Sequence, residues 1–252
     1  MGIQNLAITT KYDPSKSLNC LNKNKNMSQL EQSSNNSVYL SIVQGSLRQT
    51  VSEGTPNAVR REWEAGGRKG VKHELIYKNA VGRITDVSFY EGESEGRKFT
   101  TLNIRLDEQA DGKTPVITTG VESRYAQEFL KKLPNIDLEE DVKILPYSFI
   151  PDGEEKEKTG VSILQRDHTG QFTKKVKNFF WDEKTNGAAH GFPVPDKSNG
   201  FDSDDWKVYF TQVKKFLISY TRENILPKFG DTEQSAVDKA FEEELNPESI
   251  PF

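Results

Sequence analysis

Apolar and polar residues alternate at Val38, Leu40 and Ile42, which predicts a strand starting near residue 38 and continuing past Gly45 towards residue 51. Residues 52–72 interrupt the pattern with Gly54, Pro56, Gly66, Gly67 and Gly70 and read as a loop. The alternation returns over 80–90, and a turn over 91–96 leads into a second strand over 98–107. A further turn, Gln109-Ala110-Asp111-Gly112, introduces a third strand over 114–121. The period then lengthens. Ser123 is placed to cap a helix whose Ala126, Phe129, Leu130 and Leu133 share one face, and Pro134 stops it. Two more strands, 141–150 and 160–166, flank a charged tip at 152–156. After the segment from Phe172 to Trp181 and a Gly-, Pro- and Asn-rich loop over 186–200, residues 203–226 predict a long amphipathic helix. Its stripe of Trp206, Tyr209, Phe210, Val213, Phe216, Leu217 and Tyr220 reads as packing, in a core or between copies in a homo-oligomer.

Three strands, a helix and two strands resemble the oligonucleotide-binding (OB) fold, a five-stranded Greek-key barrel with its helix between the third and fourth strands. The resemblance covers about ninety residues and rests on element order. Another small mixed α/β domain is the alternative. The expected fold is therefore mainly β: an OB barrel elaborated by an early strand, long loops and a C-terminal amphipathic helix. The expected organisation is a flexible N-terminal arm over 1–36, the OB-type domain over 37–229 with its long helix near 203–226, and an acidic tail over 230–252.

The chain has 252 residues and a net charge of −4. The tail holds much of the negative charge: from Asp231 onward Asp231, Glu233, Asp238, Glu242, Glu243, Glu244 and Glu248 face one base, Lys239, and the remainder is near +2. A mildly basic body with an acidic tail suits a polyanion binder whose tail competes weakly for the same surface, although ordinary charge scatter gives a surplus of this size as well. No apolar run approaches a membrane span, and Met1 to Asn5 lack the character of a signal peptide. With Cys20 alone, no internal disulfide forms, and a reducing, cytoplasmic setting is expected.

The acidic run closes on Ile250-Pro251-Phe252, which resembles the tail tip of bacterial single-stranded DNA-binding proteins. In that family the tip docks on replication and repair enzymes. The resemblance assigns partner binding to Glu248, Ile250, Pro251 and Phe252: an apolar ring, a Pro that limits the entropy lost on docking, and a carboxylate for a basic pocket. The long loops and helix bring the chain closer to phage-encoded members, which places it in a host cytoplasm. It implies a sequence-non-specific protein that coats single-stranded DNA in replication, recombination and repair and recruits enzymes through its tip. Two rivals stay open: a mimic that carries the tail without binding DNA, and an OB protein for single-stranded RNA.

An OB groove tracks phosphates with bases and stacks nucleobases on aromatic faces. In the second strand Leu102, Ile104 and Leu106 point one way, and Phe99, Thr101, Asn103 and Arg105 the other. Phe99 beside Arg105 reads as a stacking surface or as a ring covered by another element. Tyr77, Lys78, Arg83, Tyr90, Arg97, Lys98, Lys143 and Tyr147 interleave aromatics with bases around it. Lys174, Lys175, Lys177 and Trp181 form a second dense cluster, either a clamp on the strand or, through Phe179 to Trp181, a seal for the barrel. The segment 60–69, with Arg60, Arg61, Trp63, Arg68 and Lys69, reads as a basic loop closing over DNA or as solvated surface. Gly66-Gly67-Arg68-Lys69-Gly70 lacks the spacing of a phosphate-binding loop. His73, His168 and His190 are scattered, and no nucleophile or metal motif appears, so no enzyme, metal or cofactor is expected.

Overall fold

The computed structural model describes residues 36–230 except positions 66, 95, 197–199 and 201. The predicted arm and tail, with Cys20, Glu248, Ile250, Pro251 and Phe252, therefore lie outside the described residues apart from Asn36 and Gly230. What is described is mainly β, with a long helix towards its end.

The early strand is a hairpin, β1 (Ser37–Val43) and β2 (Ser46–Val51), rather than one continuous strand. Gln44 and Gly45 both have positive φ, 48° and 72°. Two such residues make the tight turn whose twist matches a hairpin. The segment read as a loop contains a second hairpin, β3 (Val59–Ala65) and β4 (Arg68–Tyr77). Its sequence is too polar to announce strands, but β4 pairs with β2 from Leu47 opposite Tyr77 to Val51 opposite His73. The ladder holds what local propensity does not.

The central elements follow the sequence closely. They are β5 (Ala80–Gly82), β6 (Ile84–Ser94), β7 (Arg97–Leu106), β8 (Thr114–Gly120), α1 (Arg124–Lys132), β9 (Val142–Phe149) and β10 (Lys158–Arg166). The turn expected over 91–96 is shorter, because Glu93 opposite Lys98 and Ser94 opposite Arg97 extend the ladder. Ser123 caps α1, its Oγ accepting from Ala126 N at 3.1 Å. Beyond β10 come β11 (Phe172–Lys175), the small β12 (Trp181–Asp182) and β13 (Gly187–Ala188), and α2 (Ser203–Asn224).

One sheet has seven strands in the order β3-β4-β2-β1-β8-β7-β6, and a second has the order β11-β10-β9-β5. They are joined where β5 turns into β6 at Gly82. A Cβ there would stand 2.5 Å from Asp107 Oδ1, the atom that accepts from Arg83 N at 3.0 Å. The expected closed barrel does not form. β8 has β1 beside it in parallel, and β10 has β11, so the two strands that would close the cylinder are already paired.

Between the sheets lie Leu40, Leu47, Ile84, Val87, Leu102, Ile104, Leu106, Ile117, Val142, Ile144, Val161 and Ile163, with Ala126, Phe129 and Leu130 of α1. α2 opens with a capping box, Asp202 and Asp205 exchanging side-chain bonds with each other's backbone N–H. Of its stripe Val213 and Leu217 are buried and Tyr209, Phe216 and Tyr220 pack against the core, but Trp206 is 36% and Phe210 44% exposed, so the packing role read for the whole stripe holds for all but these two. Phe180 is the hub of this contact. Its ring lies 4.9 Å from Tyr220, 5.1 Å from Phe179, 5.3 Å from Phe216 and 5.5 Å from Phe192.

Candidate nucleic-acid interface

Alternation along β7 divides its side chains between the two faces of the large sheet. Leu102, Ile104 and Leu106 are buried, while Phe99 is 44% exposed on the other face. Cross-strand partners share a face, so the register extends that outer surface row by row. Phe99 faces Gly92, Thr101 faces Tyr90 and Gly120, and Asn103 faces Ser88 and Thr118. Arg105 faces Asp86 and Val116, and Val116 faces Tyr39 of β1. Tyr39 and Tyr90 are both more than half exposed. The Tyr90 and Phe99 ring centroids are 6.2 Å apart with planes at 51°, and beside the small residues Gly92, Thr101 and Gly120 both rings stay exposed. From Phe99 to Arg105 the surface runs about 20 Å along β7 at ~3.3 Å per residue, room for several stacked bases.

Charge on this face is mixed and mostly engaged. Arg105 Nη1 donates to Ser37 Oγ at 3.2 Å. Burial pushes the Asp86 carboxyl up, against the pull of the Ser88 hydroxyl and the Arg105 charge. Further across the sheet, Arg61 donates to both carboxylate oxygens of Glu74 at 2.7 Å, and Arg48 Nη1 adds a third bond at 3.0 Å. These bonds hold buried Glu74 down at about 2, Arg61 contributing most. Arg97 is exposed at the end of the β6–β7 hairpin on the Phe99 side, and Lys98 is exposed on the opposite side, facing Glu93.

The other sequence-chosen residues fall into separate places. Tyr77 sits on the inner face of β4 in register with Leu47, its hydroxyl donating to Gln49 Oε1 at 3.0 Å. It lines a 240 Å³ cavity with Val38, Lys113 and Pro115, away from Phe99. Lys78 and Arg83 are exposed on either side of β5, and Lys143 is half-buried in β9 opposite Val81 and Leu164.

Tyr147, Lys175, Lys177 and Trp181 do come together, in a 740 Å³ groove that also takes in Lys132 and Lys184. Lys174, on the alternate side of β11, is exposed and does not line it. Buried Lys132 Nζ donates to Val161 O at 2.6 Å and to Glu128 Oε2 at 3.2 Å. Burial works against ionisation of Glu128, but the Lys131 and Lys132 charges outweigh it and hold the carboxyl below its usual range. Burial, with Glu128 nearby, raises the Tyr147 phenol. Lys177 pairs with Glu183 at 2.8 Å, and Trp181 is 46% exposed at the rim. Phe180 is buried in the core, while its neighbour Trp181 is exposed.

Sequence reasoning passed over Tyr39, Arg48, Lys132 and Lys184. Tyr39 was legible, because Val38, Leu40 and Ile42 pointing inward oblige it to point out. In the basic segment read as a loop, residues 60–65 and 68–69 are strand, with Trp63 resting over Gly70 and Lys72 Nζ 6.0 Å from its ring. Among the described residues no helix is long and apolar enough to cross a membrane. No family model matches the chain, and no curated protein or solved structure matches it.

Proposed function

We propose that this chain is a sequence-non-specific single-stranded DNA-binding protein. It coats exposed strands during replication, recombination and repair and recruits partner enzymes through Ile250-Pro251-Phe252. The observation that carries the reading is the exposed Tyr90–Phe99 pair on a sheet face floored by small residues, with Arg97 and Arg105 on the same side. Nucleobases stack on the rings and phosphates meet the guanidinium groups; each stack contributes about 1–3 kcal/mol. The groove at Trp181, Lys175 and Tyr147 supplies a second aromatic and basic contact.

We read the fold as an elaborated OB architecture, and on that reading the element order supports the same function. The order β6-β7-β8-α1-β9-β10 is the OB order, and the bent first strand reaches β9 through β5. In this reading β1 takes the place beside the third strand that a closed barrel gives to the fifth.

Titration of labelled poly-dT and poly-U oligonucleotides at two salt concentrations tests the proposal. Tighter binding to poly-dT that weakens with salt supports it. Preference for poly-U makes the chain an RNA binder, and salt-sensitive binding to neither overturns the reading in favour of a tail-carrying mimic.

A further inference from the structure

The two margins of the seven-stranded sheet differ. At one, β6 lies against the short 3-10 turn Leu226–Phe229, and its Glu91 takes Arg222 of α2 at 3.0 Å. At the other, β3 pairs with β4, and among the described residues its outer edge has no ladder partner. An unpaired edge is a template for another strand. Natural edges usually discourage pairing with charge, but the charges of β3 are ordered so that the strand complements its own reverse.

In an antiparallel pairing centred on Glu62, Arg60 meets Glu64 of the second copy, and Arg61 meets its Trp63. Arg60, Glu62 and Glu64 lie on one face, and Arg61 and Trp63 on the other. Arg60 and Glu64 are exposed, occupied only by the surface pairs Arg60–Glu62 at 2.7 Å and Lys69–Glu64 at 3.0 Å. Where the two Glu62 side chains meet, an Arg60 stands diagonally on each side. On the other face Arg61 is held in place by Glu74, and the half-buried Trp63 offers its ring for a guanidinium to cover.

We infer that a second copy of this chain pairs with β3 in this register, joining two seven-stranded sheets about a two-fold axis through Glu62. Opposed residues share a face, so the outer surfaces of both copies lie on the same side. A seven-residue edge gives a small interface, so the association is weak and concentration-dependent. The consequence for strand binding rests on the function proposed above: Tyr90 and Phe99 of both copies then lie on the same side of the joined sheets, and a strand long enough to reach both is held at two sites.

Sedimentation equilibrium of the full chain over a concentration series, with Arg60→Glu and Glu64→Arg, tests the pairing. Each variant alone sets like charges opposite one another twice per dimer, and its association weakens about tenfold. Mixing the two variants restores complementarity at both positions, and a heterodimer forms with wild-type affinity. Thermal melts stay unchanged because both side chains are exposed. A wild-type chain that is monomeric throughout, variants that associate normally, or a mixture no stronger than its components each overturn the inference. Dimers that fail to bind poly-dT sink the function reading and leave the β3 pairing intact.

Discussion

The ring of Phe99 lies across Gly92, on the neighbouring strand, so closely that a Cβ at position 92 would stand 2.6 Å from Phe99 Cζ. Glycine at 92 is what lets the ring lie where Tyr90 can flank it.

Gly92→Ala therefore displaces the ring, and Phe99→Ala removes it. Both variants are expected to bind poly-dT at least about fivefold more weakly, the loss of one stack. Their melting temperatures should stay close to wild type because the ring is substantially exposed. Fluorescence anisotropy checks this, and unchanged affinity in both would remove the β6–β7 surface from the strand path. Arg105→Ala is a poorer probe, since it also leaves half-buried Asp86 without its facing cation.

Stability should fall in acid through Glu74. Its folded pKa, about 2, lies below the ordinary 4.5, so its contribution is fully present above pH 4.5 and is lost as pH falls towards 2. At about 1.4 kcal/mol per pKa unit the contribution is at most about 3 kcal/mol. Glu74→Gln should be less stable at neutral pH, with a shallower acid slope in urea midpoints measured from pH 5 to pH 2. Parallel slopes in both proteins would assign the acid sensitivity elsewhere.

Phe180→Ala empties the centre of the aromatic cluster that joins the segment before β12 to α2. The expected cost is about 3–5 kcal/mol, read as a lowered denaturation midpoint. Trp181→Ala, one residue along and at the groove rim, should cost far less stability and weaken strand binding instead. Equal destabilisation by the two would contradict the outward placement of Trp181.

Deleting Ile250 to Phe252 should leave poly-dT affinity within about twofold while abolishing capture of purified replication and repair enzymes by immobilised protein. A truncated chain that loses DNA binding would show that the tip and the body do not divide the work in this way.

Local signals carried much of this. Ser123 caps α1 and Pro134 follows it because both act on backbone within a turn of themselves. The split of Leu102, Ile104 and Leu106 from Phe99 follows from the two-residue period of a strand. Residues 59–77 were opaque for the complementary reason: Arg60, Glu62, Glu64, Lys69 and Lys72 have little strand propensity, and β2 makes β4 a strand. Tyr77 was grouped with Phe99 by the interleaving of aromatics and bases, and that pattern does not say on which side of the molecule a side chain lies.

By itself the sequence determined the central strands, both helices and the two-faced character of β7, since period and capping depend on neighbouring residues. Only the tertiary structure decided which strands lie side by side. β1 came to rest parallel to β8, which left the barrel open and brought Tyr39 into the row of Arg105; β9, β11 and the segment after them gathered Tyr147, Lys175 and Trp181 into one groove. Such pairings are fixed by ladders and a core shared between segments far apart in the chain, and no local pattern encodes them.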